Sequence, residues 1–146
     1  MIIRLATEAD LDTLKRLVVW ACEELATRFG TPRADDLVFG MVSYGVKAGE
    51  AVAVAVDEYG DTVAWCARVR LPGLPDGYAE GVGTWVHPNV RKERIGRDIR
   101  KFADEHAKAR GVRYVTGTAA KHNVAGLESC FSEGYEVVGY ALRKAL

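Results

Sequence analysis

A stretch rich in positive charge, VHPNVRKERIG (86–96), follows a β-branched and aromatic segment and precedes an apolar pattern of helical spacing. It places a strand end, a basic loop and a helix start in succession. The first N–H groups of a helix lack intrahelical partners, and the helix dipole adds partial positive charge there. Together with Arg91, Lys92, Arg94 and Arg97, such a junction suits a phosphate or pyrophosphate. The residues alone fit a solvated basic first turn equally well.

The distribution of charge favours an anion site in the second half of the chain. Twenty Lys and Arg balance twenty Asp and Glu, yet residues 1–61 hold six basic and eleven acidic side chains, and residues 91–113 hold nine basic and four acidic ones. A balanced total argues against a protein whose whole surface binds nucleic acid or anionic lipid. The basic segment also lacks interleaved aromatic residues, so a nucleic-acid-binding module is disfavoured.

Hydrophobic periodicity predicts ten elements in the order β-α-α-β-β-β-α-β-α-β. The predicted strands are Ile2–Leu5, Ala51–Val56, Thr62–Leu71, Tyr78–Val86, Val112–Thr118 and Val137–Leu142. The predicted helices begin after the Thr7 and Asp10 capping pair and end at Gly30, run over about Ala34–Ala48, follow Ile95 to a stop at Gly111, and lie around Val124–Phe131 before Gly134.

These elements predict one mixed α/β (α+β) domain over residues 1–146. The chain has 49% hydrophobic and 27% charged residues, the balance of an ordinary globular protein. A helical crossover between the third long strand and the next requires one parallel pair inside a mostly antiparallel sheet flanked by helices.

The cysteines and the amino-terminal segment indicate the cellular compartment in which the protein is expected. Cys22, Cys66 and Cys130 are widely spaced and form no CxxC pair or Cys/His cluster, so neither a disulfide framework nor a structural metal site is expected. The first ten residues lack the apolar stretch of a signal peptide, and no run is long enough to span a bilayer. A cytoplasmic protein without a membrane partner is therefore expected.

The segment 86–96 resembles the phosphate-binding motif of the GNAT superfamily, the acyl-CoA-dependent N-acyltransferases. That motif is a strand, VxP, and then R/QxxGxG/A at a helix start; Val86, Pro88, Arg91 and Gly96 match it. The order of predicted elements agrees over almost the whole chain.

A second segment, NVAGLESCFSEGY (123–135), is similar to the family's NxxAxxxYxxxGF pattern. Asn123, Gly134 and the aromatic Tyr135 fall in register. An Asn at a helix start also suits a simple helix cap, so both roles stay open.

The resemblance implies acetyl-CoA as cosubstrate, without a metal. It implies that the cofactor lies where the third long strand and the next strand splay apart, with its pyrophosphate on the amides around Lys92–Arg97. Val86 would offer backbone bonds to the pantetheine arm, Arg91 and Arg94 would meet phosphate charge, and Asn123 would help to hold the arm.

Two residues depart from the family pattern. Arg94 stands where the motif has its first Gly, so the loop must accept a Cβ in a backbone conformation that favours glycine. Cys130 stands where many members have the Tyr that protonates the leaving thiolate. A thiol can also donate a proton, and water is the alternative donor.

Transfer to an amine needs a base, because a protonated amine cannot attack a thioester. Glu80, early in the strand that leads to Val86, is the first candidate, and His122 and His87 are the alternatives. Trp85 could line an acyl pocket.

The sequence therefore predicts an N-acetyltransferase acting on a small-molecule or peptide amine by direct attack. The alternative is a catalytically weak or inactive acyl-CoA-binding or interaction module of the same fold, and a homodimer is left open. The net charge of residues 1–61 favours a cationic amine, such as a polyamine, an aminoglycoside or a lysine-rich peptide. The acids behind this expectation are Glu23, Glu24, Asp35 and Asp36.

Overall fold

Five strands and four α-helices follow one another in the order β-α-α-β-β-β-α-β-α. The computed structural model describes all 146 residues. The strands are β1 (Ile2–Leu5), β2 (Ala51–Val56), β3 (Thr62–Val69), β4 (Tyr78–Val86) and β5 (Tyr114–Thr116). The helices are α1 (Leu11–Phe29), α2 (Asp35–Lys47), α3 (Ile95–Ala109) and α4 (Val124–Ser132).

The ends of α1 follow from local chemistry. The Asp10 carboxylate accepts a hydrogen bond from the backbone N–H of Thr7 at 2.8 Å, which closes the predicted capping pair around a short 3₁₀ turn before Leu11. At the other end Gly30 adopts a left-handed conformation with φ of 67°, and its N–H bonds the carbonyl of Ala26. Both predicted boundaries are confirmed.

The strands form one sheet in chain order, β1-β2-β3-β4-β5. The first three pairings are antiparallel, whereas β4 and β5 are parallel. Because α3 connects β4 to β5, this is the helical crossover that the sequence predicts. The mixed, mostly antiparallel sheet is confirmed.

Helices cover both faces of the sheet, and each face has its own core. Leu14, Val18 and Val42 of α1 and α2 pack on Trp65 and its neighbours on one face. On the other face Ile99 packs with the small residues of β2 and β3. We call these the α1/α2 face and the α3 face. None of the four helices combines the length and the apolar character that a membrane crossing requires.

The predicted final strand, Val137–Leu142, is wrong. These residues form no regular element, and the side chains of Val138, Tyr140 and Leu142 are 82%, 89% and 94% exposed. Alternating apolar residues report a tendency to extend, but a strand also needs a neighbouring strand to bond, and none lies alongside. β3 and β5 are also shorter than predicted, since their pairing ends earlier than their apolar pattern.

Gly45 in α2 and Gly40 in the same helix make a matched pair for testing the packing of the α1/α2 face. A Cβ on Gly45 would lie 2.7 Å from Cγ2 of Val69 and 2.9 Å from Cγ2 of Val52, whereas a Cβ on Gly40 would meet nothing within 4 Å. We expect Gly45→Ala to destabilise the protein by about 1–3 kcal/mol through overpacking. Gly40→Ala should stabilise it by about 0.5–1 kcal/mol through helix propensity. Urea unfolding measures both, and equal effects would contradict this packing.

Candidate functional site

Three successive local features form the connection between β4 and α3. The His87 side chain ends the strand, its Nδ1 accepting a hydrogen bond from the N–H of Asn89 at 3.2 Å. A 3₁₀ turn over Pro88–Glu93 follows, and Pro88 suits its first turn because it has no N–H to satisfy. Arg94 then turns the chain into α3. His87 thus has the structural role of a strand end in this connection.

Arg94 has φ of 61° and ψ of 12°, and no other non-glycine residue of the protein has a positive φ. For a residue with a Cβ this left-handed conformation costs about 1–2 kcal/mol. It lies at the position where the motif described above has its first glycine. The loop therefore accepts the Cβ of Arg94 in a conformation that favours glycine.

Two pockets that share Glu24, Arg28 and Trp85 form a groove beside this connection, with volumes of ≈ 490 Å³ and ≈ 440 Å³. The larger part, which we call the β4–α3 groove, lies between α1, the end of β4 and the start of α3. Its polar lining is Glu24, Arg28, Thr84, Arg91, Arg94, Arg97, Arg100 and Asn123. Arg94 and Arg97 are exposed and form no ion pair within the protein. Their charges are free to meet an anion.

The Arg91 guanidinium already forms two hydrogen bonds within the protein. Its Nε donates to the backbone carbonyl of Val86 at 2.9 Å, and its Nη2 donates to Oε2 of Glu24 at 2.6 Å. The predicted role of Arg91, contact with phosphate, would require its guanidinium to leave both partners. The carbonyl of Val86 is likewise occupied by Arg91 in this structure.

Glu24 links α1 to the β4–α3 connection. Besides Arg91, its carboxylate accepts from Nε1 of Trp85 at 3.1 Å and from Arg28 at 3.4 Å. The hydrogen bond from Arg91 holds the pKa of the Glu24 carboxyl below its usual range, and burial opposes it only in part. No sequence signal reveals this role, because Glu24 and Arg91 are 67 positions apart.

The parallel pairing of β4 with β5 is short and ends at a defined point. Pairing of β4 with β5 runs from Tyr78↔Tyr114 to Glu80↔Thr116 and then ends. Beyond it Gly81 and Gly117 bring the two backbones together, since a Cβ on Gly117 would lie 3.1 Å from the carbonyl oxygen of Gly81. Past this contact β4 has no further pairing with β5, and a splayed strand pair at this point stays a prediction of the sequence.

Glu80 is the last residue of β4 that pairs with β5. It lies opposite Val69 of β3, whose side chain belongs to the core of the α1/α2 face, so Glu80 lies toward that face. Burial raises the pKa of the Glu80 carboxyl above its ordinary value. A carboxylate with a raised pKa at the opening of a strand pair can act as a base.

Asn123 and Cys130 are both on or beside α4. Asn123 caps the helix, because its Oδ1 accepts from the N–H of Gly126 at 3.0 Å, and it also lines the β4–α3 groove. Its Nδ2 donates to no protein group, so capping and ligand binding are compatible. Cys130 is half-buried and unpaired, whereas Cys22 and Cys66 are buried in the two cores. Burial raises the pKa of both buried thiols.

Arg68 is a charged group that sequence reasoning missed. Its side chain is 4% exposed and its Nε donates to Oδ1 of Asp104 on α3 at 2.8 Å. It lies beside the end of the β4–β5 pairing, since a Cβ on Gly81 would come within 3.7 Å of its Nη1. Within the apolar alternation of β3 only its charge could have marked it. His122, by contrast, lies in an exposed turn and is not brought to Glu80 by any contact of the structure.

The smaller part of the groove, which we call the Trp20 pocket, lies on the α1/α2 face. Trp20, Trp85 and His87 form its aromatic wall, with ring centroids 5.9 to 6.5 Å apart. Its remaining lining residues are Glu23, Glu24, Thr27, Arg28 and Pro88. Aromatic faces beside carboxylates suit a cationic group.

The structure therefore brings the predicted residues into two regions. Val86, Arg91, Arg94, Gly96, Arg97 and Asn123 line the β4–α3 groove. Glu80 lies five residues before Trp85 on β4, about 16 Å from the pocket at the rise of an extended strand. Lys92 lies beside the groove in the 3₁₀ turn.

No protein-family model matches this sequence, and no curated protein matches it. Solved structures do. A ribosomal-protein-alanine N-acetyltransferase from Brucella melitensis is 25% identical with a TM-score of 0.75, over 95% of this chain and 86% of that one. An aminoglycoside N-acetyltransferase in complex with CoA is 12% identical with a TM-score of 0.66, over 99% and 98%. A GNAT-family acetyltransferase from Staphylococcus aureus Mu50 is 11% identical with a TM-score of 0.71, over 91% and 82%. The protein has the GNAT fold.

Because Arg94 has a left-handed conformation, we expect glycine to be more stabilising than alanine at this position, the reverse of their usual order. Glycine adopts this conformation without the Cβ penalty, so we expect Arg94→Gly to be more stable than Arg94→Ala by about 1 kcal/mol. At Lys92, which has an ordinary backbone conformation, the Ala variant should be the more stable one. Urea unfolding of the four variants measures both differences, and an Ala variant that is more stable at both positions would contradict the turn.

Proposed function

We propose that this protein is an N-acetyltransferase that moves an acetyl group from acetyl-CoA to an amine by direct attack. The observation that carries the proposal is the junction of β4 and α3, where Arg94 adopts a glycine-like turn at the head of a helix whose groove holds uncompensated cations. The solved structures of the same fold support it, since two of them are named as N-acetyltransferases and one of these is in complex with CoA.

The pyrophosphate of the cofactor would bind at the first turn of α3. Ile95, Gly96 and Arg97 form the first turn of α3, so their N–H groups have no acceptor within the helix. The helix dipole adds to their attraction for an anion. Arg97 and Arg94 supply full charges from the groove wall, and Lys92 lies beside them. The absence of a side chain on Gly96 leaves these amides accessible.

The pantetheine arm would run from the first turn of α3 along β4 toward the splayed strands. Its amides need backbone partners, and the Val86 carbonyl is the first one on this path. Because Arg91 donates to that carbonyl, binding exchanges one donor for another: the pantetheine amide takes Val86, and the guanidinium, once it also leaves Glu24, can meet phosphate. Asn123 can then donate from Nδ2 while its Oδ1 continues to cap α4.

The reaction joins the amine nitrogen to the acetyl carbon and breaks the bond from that carbon to sulfur. Glu80, at the point where β4 and β5 part, would accept the proton that the amine must lose. The sulfur leaves as a thiolate and takes a proton from Cys130 or from water. Trp85 lines both the β4–α3 groove and the Trp20 pocket, so it would be able to contact either the acyl group or the acceptor.

The acceptor would be a cationic amine of extended shape. The Trp20 pocket and Glu80 both lie on the α1/α2 face, so a molecule with one positive group in the pocket and a second amine at Glu80 would span about 16 Å. Two of the acids that favour a cation are already paired, Glu24 with Arg91 and Asp35 with Arg33. The attraction therefore rests mainly on Glu23 and Asp36, which form no ion pair.

The alternative is a module of the same fold that binds acyl-CoA without turnover. Arg94 and Cys130, the two departures from the family pattern, motivate it. Release of CoA from acetyl-CoA in the presence of a polyamine separates the two functions, since a binding module would be protected by CoA but would release none.

Gly96 offers the most direct test of the cofactor site. Gly96→Asp places a carboxylate at the proposed pyrophosphate site, while the nearest atoms to its Cβ are the flexible end of Arg100 at 3.1 Å and Cγ2 of Val86 at 3.4 Å, so the fold can accept it. We expect CoA to raise the Tm of the wild type and to leave that of Gly96→Asp unchanged. Gly40→Asp, in an open position of α2, should keep the full shift. Equal shifts in all three proteins would remove the assignment.

Glu80→Gln tests the base. It keeps the size of the side chain but cannot accept the proton, so we expect kcat/KM to fall by roughly 10²–10⁴-fold. Because burial raises the pKa of Glu80, the wild-type rate should decline as pH falls through a value above the ordinary pKa of 4.5, and this decline should vanish in the variant. Asp76→Asn, in the exposed loop before β4, is the control. A Glu80→Gln enzyme with the wild-type rate at each pH would show that another group is the base.

A further inference from the structure

The Glu24 carboxylate lies at the boundary between the β4–α3 groove and the Trp20 pocket, and it lines both. Arg28 and Trp85 are the other two residues that the two spaces share, so Glu24 is the only acid among the three. Its side chain is 26% exposed, which leaves it partly open to a ligand. A change in the partners of Glu24 on the groove side therefore changes the charge on the pocket side.

The oxygen Oε2 of Glu24 accepts hydrogen bonds from two donors of different kinds. Nη2 of Arg91 lies 2.6 Å away and carries a positive charge, whereas Nε1 of Trp85 lies 3.1 Å away and is neutral. Trp85 belongs to the core of the α1/α2 face, so its bond can hold the carboxylate in place after Arg91 has left. Only the bond from Arg91 neutralises the charge of this oxygen.

The charges around the Trp20 pocket are balanced only while Arg91 is bound to Glu24. The lining holds two carboxylates, Glu23 and Glu24, and one guanidinium, Arg28. With Arg91 on Glu24 there are two positive charges against two negative ones, and without it one negative charge is in excess. A carboxylate beside the faces of aromatic rings suits an ammonium group.

We propose that Glu24 binds a positive group of the acceptor, and that Arg91 covers this carboxylate until the phosphates of the cofactor draw the guanidinium away. The inference rests on the proposed function, since it needs the cofactor in the β4–α3 groove and the acceptor in the Trp20 pocket. The group that Glu24 binds is not the one that reacts, because Glu80 lies about 16 Å away. Glu24 thus selects acceptors that carry a second positive charge.

Sharing one guanidinium makes each ligand improve the binding of the other. A cofactor that has already removed Arg91 from Glu24 leaves the carboxylate free for the acceptor, and linkage requires the acceptor to improve cofactor binding by the same factor. Coupling between two sites is typically about 5–150-fold. The side chains of Arg91 and Glu24 are 37% and 26% exposed, so solvent weakens their bond and the coupling should lie near the lower end.

Calorimetric titration with spermidine at low ionic strength, with and without CoA, tests this coupling while no reaction takes place. In the wild type, saturating CoA should lower the Kd of spermidine at least about fivefold. Octanediol, an uncharged molecule of the same length, should gain nothing. Glu24→Gln can keep the bond from Trp85 but lacks the charge, so CoA should not change its Kd for spermidine. Equal coupling in Glu24→Gln would assign the effect to the charge of CoA itself and overturn the proposal.

Arg91→Ala gives a readout that needs no cofactor. The variant leaves Glu24 uncovered, so without CoA it should bind spermidine at least about fivefold more tightly than the wild type, and CoA should add no further gain. Arg16→Ala also removes one positive charge, but the Arg16 guanidinium bonds Thr13 and no acid, so this control should bind spermidine as the wild type does.

The two sets of titrations separate this inference from the proposed function. If Arg91→Ala binds spermidine no better than Arg16→Ala does, Glu24 is not the acceptor residue, even if CoA protects the protein. If CoA fails to bind, the cofactor site is wrong, whereas tighter binding of spermidine by Arg91→Ala would still support a cation site that Arg91 covers.

Discussion

The brief parallel pairing of β4 with β5 is the constraint from which the rest of the site follows. β4 is bonded to β3 along most of its length, but β5 follows it only from Tyr78 to Glu80. Gly81 and Gly117 lie in close contact just beyond the pairing, and from there to Val86 no strand pairs with β4 on this side. A parallel sheet that continued would have used the backbone groups on this side of β4 internally. Because it stops, the strand edge, the head of α3 and the groove between them are available to a ligand.

Much of this arrangement could be predicted from the sequence because it is local. The alternation of β2, the helical spacing of α1, the capping pair at Thr7 and the glycine at residue 30 each act within a few residues of themselves. The junction of β4 and α3 is local too, and even the conformation of Arg94 was implied by the position that it holds in the motif. For such features the sequence neighbours are the structural neighbours.

What could not be predicted depends on partners that are distant in sequence. The engagement of Arg91 by Glu24 joins two segments that no periodicity connects. The same holds for Arg68 and Asp104, and for the segment at residues 137–142, whose strand-like composition says nothing about whether a neighbour lies beside it. The charge count of residues 1–61 had a similar weakness, since ion pairs with Arg91 and Arg33 neutralise part of it.

The order of the strands in the sheet is the same as their order in the chain. During synthesis, each strand after the first therefore emerges when its neighbour is already present, and none has to wait for a distant part of the chain. Contacts of short sequence separation favour rapid folding, and domains assemble from the amino-terminal side as the chain lengthens. β1 to β4 can form a sheet with α1 and α2 on one face before α3 and β5 are made. The ligand groove is then completed last, on a scaffold that already has its shape.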